Sequence, residues 1–515
     1  MGWLTRQVQA GRGVFLALAV MLACGLPGLF SLPPLDRDEV LFSQASRQMA
    51  ASGDMIDIRF AEMPRYKKPV GIYWLQVAAA KVTGQPDAIW SYRLVSLLAA
   101  MVAVAATHAI GRRLLTAEGA LLASVALAAS VMLGIEAHLA KTDATLLATV
   151  AVSMAVVARA WTGDPGRWRL GFWAALGVSL LVKGPLGPMV VLLALGALSL
   201  YGRETRTLRR LWSPWGLALM LVIAVPWYVA ISYVSGGEFW SASLGRDMLG
   251  KVATAQENHG APPGSYLAAL WLTFWPGSMV LAASLPALWR ARRSPVVIFA
   301  LAWALPTFLV FELTPTKLIH YTLPTWPALA LLLGAVASAA KPRWPALLPA
   351  FLPLILLAAL EVTLRGFGQG LSPLALPGAL FIALAALLTV AALRHGTLAT
   401  TAALALAGFA FNATLFPTLA RTTYLWPAPQ LAAISAQHPD CAFSVTGFNE
   451  PSIVFTTDAK VRLAAPEDLP AILQAPGCQL IAAPSLDTTL PELTRIQGLD
   501  LGSGKPIDLG LWLKP

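Results

Sequence analysis

Apolar runs long enough to cross a bilayer recur from Gly13 to about Pro417, with polar breaks between them. A hydrocarbon core about 30 Å thick takes about 20 apolar residues per helix. The runs are continuous and do not alternate as lipid-facing strands do, which excludes an outer-membrane barrel. The pattern predicts an all-α polytopic membrane protein of about thirteen transmembrane helices, over 12–32, 93–111, 118–136, 143–161, 169–182, 185–202, 213–234, 265–289, 296–313, 321–340, 345–363, 373–393 and 398–417. The tightest stretch is 169–202, where Lys183-Gly184-Pro185 divides two short spans. The Arg203–Arg210 cluster favours two helices there over one.

The first long interruption, residues 33–92, has structure of its own. Val40-Leu41, Ala45 and Met49 recur at helical spacing, which predicts an amphipathic surface helix ended by Gly53. Ile72–Val82 predicts a second surface helix. After Pro417 the composition changes. Residues 430–515 hold short β-prone pieces, Ala442–Val445, Ile453–Thr457 and Leu480–Ala482, separated by Pro and Gly. The expected organisation is a transmembrane domain over 1–420 and a small α/β domain over 430–515.

Composition sharpens this picture. The chain has 515 residues, 57% of them hydrophobic and only 12% charged. Soluble domains sit near about 45–50% apolar with about 25% charged residues. The net charge of +11 would suggest nucleic acid in a soluble protein. Here it follows from topology, because Lys and Arg collect in cytoplasmic loops; no nucleic-acid partner is expected. Arg6 and Arg12, Arg112-Arg113, Arg167, Arg203–Arg210, Arg290–Arg293, Lys341 and Arg394 fall at every second boundary. That set places the loops 33–92, 137–142, 235–264, 314–320 and 364–372 and the C-terminal tail on the outer face. The N-terminal run lacks a good cleavage site and is taken as an uncleaved first helix. Of the three cysteines, Cys441 and Cys478 lie in the polar C-terminal part, where a disulfide and two free thiols are both open.

The polar residues gather where chemistry is needed. Asp38 and Glu39 follow the first span almost directly and are candidate catalytic or substrate-orienting acids. The local alternative makes Asp36 the helix N-cap and Glu39 its capping-box acid. Asp143, at the next outer turn, is a second candidate acid, although a carboxylate at that helix start also suits the dipole. Arg59, Arg65, Lys67, Lys68, Lys141, Lys183, Arg246, Lys251 and Lys317 are more outward-facing cations than the positive-inside rule predicts. Phosphate is the natural ligand for some of them, anionic lipid headgroups the alternative. Lys183 stands out because it interrupts an apolar run. His259, His320 and Tyr321 sit in outer loops. No HExxH or paired CxxC spacing occurs, so no catalytic metal or cofactor is expected, and a need for a divalent ion is left open.

As a set, these pieces resemble a family signature. Asp38-Glu39, Ser52-Gly53-Asp54 and Lys67-Lys68-Pro69-Val70-Gly71-Ile72-Tyr73-Trp74 are similar to its "DE … SGDW … KPPLYYW" pattern. Lys183-Gly184-Pro185 matches a "KG" turn, His259-Gly260-Ala261-Pro262 with Tyr266 an "HGxPxxY" loop, and Thr316-Lys317-Leu318 with Tyr321–Pro324 an "SKLxxYxLP" loop. The family it resembles is that of lipid-phosphate-dependent membrane glycosyltransferases of the C fold, and within it the chain looks most like the lipid A aminoarabinose transferase and its protein mannosyltransferase relatives. The resemblance covers about residues 10–420.

It implies about thirteen helices, two surface helices in the first periplasmic loop, a polyprenyl-phosphate sugar donor and transfer with inversion. By the same resemblance Asp38 is the acid nearest the sugar and Asp143 supports the site. Lys68, Lys183, Lys317 and His259 become candidates for the donor phosphate or the acceptor, and Tyr73, in the central motif, and Tyr321 are further substrate-binding candidates. The chain departs at Val70 and Ile72, so the sugar or acceptor is free to differ from aminoarabinose and lipid A. The expected enzyme is a glycosyltransferase of the bacterial inner membrane, working at the periplasmic face on lipid A, a related lipid or a glycan. The alternatives are a protein O-mannosyltransferase-like enzyme and a lipid-linked sugar flippase. The negative charge that grows on a departing polyprenyl phosphate suits preorganised cations.

Overall fold

The computed structural model describes residues 2–203, 205–250, 260–340, 344–370 and 372–515. Among these, seven helices are long and apolar enough to cross a membrane: Ile89–Leu114, Asp143–Thr162, Pro214–Val234, Pro295–Leu313, Trp344–Gly366, Ala375–Ala392 and Thr397–Arg421. The number reaches nine if each of two bent pairs is one span. These pairs are Ala117–Ala128 with Val131–Ala137, bent by 58°, and Ser265–Thr273 with Gly277–Arg290, bent by 115°. The chain is a multi-pass membrane protein with a small C-terminal sheet.

Small residues let the helices meet. A Cβ added to Gly119 would come within 2.6 Å of the Gly334 carbonyl, the close backbone approach that membrane bundles use. The two bent pairs hold each other: the Val131 N–H, freed by the first bend, donates to the Trp275 carbonyl at 2.9 Å. Residues 169–202 form two helices, as expected. Trp168–Lys183 ends at Gly184, whose φ of +61° turns the chain, and Leu186–Gly202 follows from Pro185. That turn leaves Lys183 at a helix end.

Both helices expected in the first loop are present. Asp38–Ser52 buries Val40, Ala45 and Met49 and stops at Gly53 with φ +75°. Gly71–Thr83 lies beside it. The local capping alternative fails. Arg37, not Asp36, is the N-cap residue, and its side chain caps nothing. The Asp36 carboxylate instead accepts from the Ser452 N–H at 2.9 Å.

Strands β1 (Arg59–Phe60) and β2 (Met63–Pro64) make a short hairpin in the first loop. In the C-terminal part, β3 (Ala442–Val445), β4 (Val461–Leu463), β5 (Gln479–Ala483), β6 (Glu492–Asp500) and β7 (Lys505–Lys514) form one sheet ordered β4-β3-β5-β7-β6. The first three are mutually parallel and the last two antiparallel. A Cys441–Cys478 disulfide joins the starts of β3 and β5. Ile453–Thr457 reads as β-prone in sequence but folds as helix Pro451–Thr456. Pro451 is preset for a first helical turn. The apolar run Ile453, Val454 and Phe455 is buried either way, and strand propensity largely measures such burial.

Candidate active site

The site is built on a buried lock. Arg93, on helix Ile89–Leu114, has no exposed surface. Its Nε and Nη2 donate to the two Glu39 oxygens at 2.8 and 2.7 Å. Its Nη1 and Nη2 also donate to the Leu32 and Pro33 carbonyls at 2.6 and 2.8 Å. Glu39 accepts further from the Leu35 and Ala140 N–H groups, each at 2.9 Å. A two-pronged guanidinium–carboxylate pair with every remaining lone pair used is the form in which buried charge is tolerated. It ties the start of the surface helix to the turn before Asp143.

Above this lock lies a polar cavity of about 230 Å³, where six basic side chains face four acidic ones. Asp38, exposed at the first position of its helix, makes no hydrogen bond or ion pair among the described residues. Several of the other groups are paired. Lys183 Nζ donates to Asp143 Oδ1 at 2.5 Å and lies 5.6 Å from the Tyr321 ring centre. Lys68 pairs with Asp247. Lys141 Nζ is 2.9 Å from Glu136 Oε1 and 3.7 Å from Asp143 Oδ2. His320 Nε2 lies 3.6 Å from Asp143 Oδ1. Glu136, Asp143 and His320 could each offer a metal one ligand atom, within 4.8 Å of one another. Lys141 and Lys183 already neutralise the two carboxylates, so a divalent ion would have to displace both ammonium groups.

An apolar groove of about 350 Å³ adjoins this cavity and shares Lys67, Lys68, Lys183 and Asp247 with it. Its walls are Leu180, Leu186, Leu221, Val225, Tyr228 and Trp240. A third cavity, about 820 Å³, shares Arg65, Lys67 and Asp247 with the polar one and carries Arg246. The arrangement suits a ligand with a long apolar tail and an anionic head.

The expected residues therefore divide. Asp38, Lys67, Lys68, Asp143, Lys183 and Tyr321 line one cavity. Glu39 does not; its carboxylate is consumed by Arg93. Tyr73 is buried just behind the lining, its ring centre 5.4 Å from that of Phe42, which faces the cavity. Arg59 stays in its hairpin, paired with Asp57 at 2.7 Å and donating to the Glu62 carbonyl at 2.9 Å. Lys317 donates to the Glu312 and Thr314 carbonyls, both at 2.7 Å, and so caps helix Pro295–Leu313. Arg246 borders only the third cavity among those named. His259 and Lys251 lie outside the described residues. Arg65 and Lys141, counted in sequence among the outward-facing cations open to phosphate, and His320, noted there without a role, line the polar cavity. Arg93 and Asp247 were not anticipated. A lone arginine in an apolar helix is a usable signal; Asp247 offers none.

Comparison with known proteins follows this geometry. A family model described as dolichyl-phosphate-mannose-protein mannosyltransferase matches residues 67–229. The undecaprenyl phosphate-alpha-4-amino-4-deoxy-L-arabinose arabinosyl transferase 1 of Pseudomonas fluorescens (strain Pf0-1) is 28% identical over 306 residues, 58% of this chain and 52% of that protein. The corresponding transferase of Pseudomonas aeruginosa (strain LESB58) is 28% identical over 318 residues, 60% of this chain and 57% of its own. The chain thus spans little more than half the length of the curated relatives it matches. The crystal structure of ArnT from Cupriavidus metallidurans bound to undecaprenyl phosphate superposes with a TM-score of 0.76 at 22% identity, over 97% of each chain. The chain has the fold of that ArnT structure. The resemblance seen in the sequence motifs agrees with these matches, and the likeness of fold reaches beyond residue 420 to the C-terminal sheet.

Proposed function

We propose that this chain is a glycosyltransferase that moves a sugar from a polyprenyl-phosphate donor to a lipid acceptor, inverting the anomeric centre. The observation that carries the reading is the apolar groove that shares Lys67, Lys68 and Lys183 with a cavity containing Asp38, whose carboxylate is unpaired among the described residues. The names of the matched relatives support the same chemistry. The donor's isoprenoid tail lies in the groove and its phosphate meets the three lysines. Asp143 and Asp247 hold Lys183 and Lys68 in place beforehand, so little reorganisation is needed as charge grows on the leaving oxygen. The acceptor oxygen attacks the anomeric carbon, the sugar–phosphate bond breaks, and its electron pair leaves with the polyprenyl phosphate. A hydroxyl acceptor gives its proton to Asp38; a phosphate acceptor needs no base, and Asp38 then orients the sugar.

The finer architecture belongs to the same proposal. The shorter helices Gly13–Gly25, Trp168–Lys183, Leu186–Gly202 and Leu323–Val336 complete about thirteen spans in the bacterial inner membrane. Residues 1–420 are the transmembrane domain, and the site and residues 430–515 face the periplasm. The acceptor is lipid A or a related lipid. The mannosyltransferase family match at 67–229 favours a polypeptide acceptor as the second reading.

Purified protein given radiolabelled undecaprenyl-phosphate sugar should label outer-membrane lipid, and Asp38→Asn should lose roughly 100-fold or more of that rate, as removal of a general base does. Unchanged transfer in Asp38→Asn removes that acid from the chemistry. Label on protein instead of lipid selects the second reading.

A further inference from the structure

The stretch before Asp38 is held by the far end of the chain. Asp36 Oδ1 accepts the Ser452 N–H at 2.9 Å, and Arg37 Nη2 donates to the Gly502 carbonyl at 2.5 Å. Arg37 has φ +66° and ψ −111°, a region that residues with a Cβ seldom enter and that surrounding contacts must enforce. Gly502 leaves just enough space for the guanidinium. A Cβ there would lie 2.0 Å from Glu450 Oε1 and 2.7 Å from Arg37 Nε.

The contact continues along the surface helix. Phe455, from the helix that supplies Ser452, is buried among Val40, Ala80, Tyr92 and Ala140. Arg47 donates to the Phe455 carbonyl at 3.0 Å and pairs with Asp458 at 3.1 Å. On the other side of Asp38, Glu39 is fixed by Arg93. Asp38 therefore stands between two anchored neighbours while its own carboxylate is unbonded among the described residues.

We propose that Asp36 and Arg37 are positioning residues through which the C-terminal sheet unit sets the angle at which Asp38 enters the polar cavity. The inference rests on the reading of Asp38 as the reacting acid. The chemistry needs that acid within hydrogen-bond reach of the sugar or acceptor, and a misplacement of about 1 Å can cost about 100-fold in rate. The sheet unit thereby becomes part of the transfer machinery without touching substrate.

The test uses the full chain in lipid nanodiscs, with Gly502→Ala, Arg37→Ala and Arg37→Lys. Transfer kinetics from undecaprenyl-phosphate sugar are measured beside hydrogen exchange of peptides spanning residues 36–42. Gly502→Ala and Arg37→Ala should speed exchange there and lower kcat about 10-fold or more, leaving the donor KM within about 2-fold. Arg37→Lys, which keeps a donor for the carbonyl, should recover part of kcat. A general loss of fold would instead loosen the whole chain and would not be relieved by lysine. Native exchange over 36–42 in both Gly502→Ala and Arg37→Ala overturns the proposal, whether or not the protein transfers sugar. Loosened exchange with an unchanged kcat overturns it too. A wild type inactive on every polyprenyl donor removes the transferase reading, while the exchange data still decide whether the clasp exists.

Discussion

Glu39 and Asp38 are neighbours with opposite fates. Helix phase alone points one carboxylate at Arg93 and leaves the other in the cavity. Removing one partner of a buried pair strands the other's charge, so Glu39→Ala or Arg93→Ala should destabilise the protein by about 3–5 kcal/mol. Replacing both by leucine should cost clearly less than the two single changes together. Denaturant unfolding in detergent measures all three. The sequence shows two adjacent acids but not which of them is engaged, because the deciding arginine is 54 positions away from Glu39. Lys317 has the same difficulty. Its charge was legible, but the carbonyls that hold it are a feature of the folded helix end.

At the level of elements, apolar length and glycine punctuation carried most of the information. The long helices, the turn at Gly184 and the stop at Gly53 all follow from local sequence. What escaped depends on packing. Ile453–Thr457 has strand propensity but closes a helix, and the wide-turn helix Ser241–Leu249, which supplies Asp247, has no sequence rule. Such π-type turns are rare and often mark functional sites. One helix offers a direct test of the groove. Val225, on Pro214–Val234, lines its apolar wall. Val225→Trp should raise the KM for a full-length polyprenyl donor several-fold, with much less effect on a short-chain prenyl analogue, because only the tail meets that wall. Equal effects on both donors would move the tail elsewhere.

Over the whole molecule, the junction between the first loop and the C-terminal sheet is also a titrating one. Burial, a hydrogen bond with Asp500 and the charges of Asp36 and Asp500 push Glu450 up to about 8, with Arg37 opposing. Burial likewise pushes Asp36 up to about 6. Each acid holds its proton more tightly docked than free. Their contribution is therefore complete at low pH, and it is lost as pH rises through about 6 for Asp36 and about 8 for Glu450. Exchange protection over residues 36–42 should fall across that range, and Glu450→Gln should flatten the upper part of the fall.

The same junction joins residues made at opposite times. Asp36 and Arg37 leave the ribosome early, whereas Ser452 and Gly502 emerge more than four hundred residues later. A nascent chain can insert nearly all of its helices while the collar around Asp38 is still open. On the proposed reading of Asp38, full competence arrives only when the last strands have been made, and a truncated product would lack the piece that aims its acid.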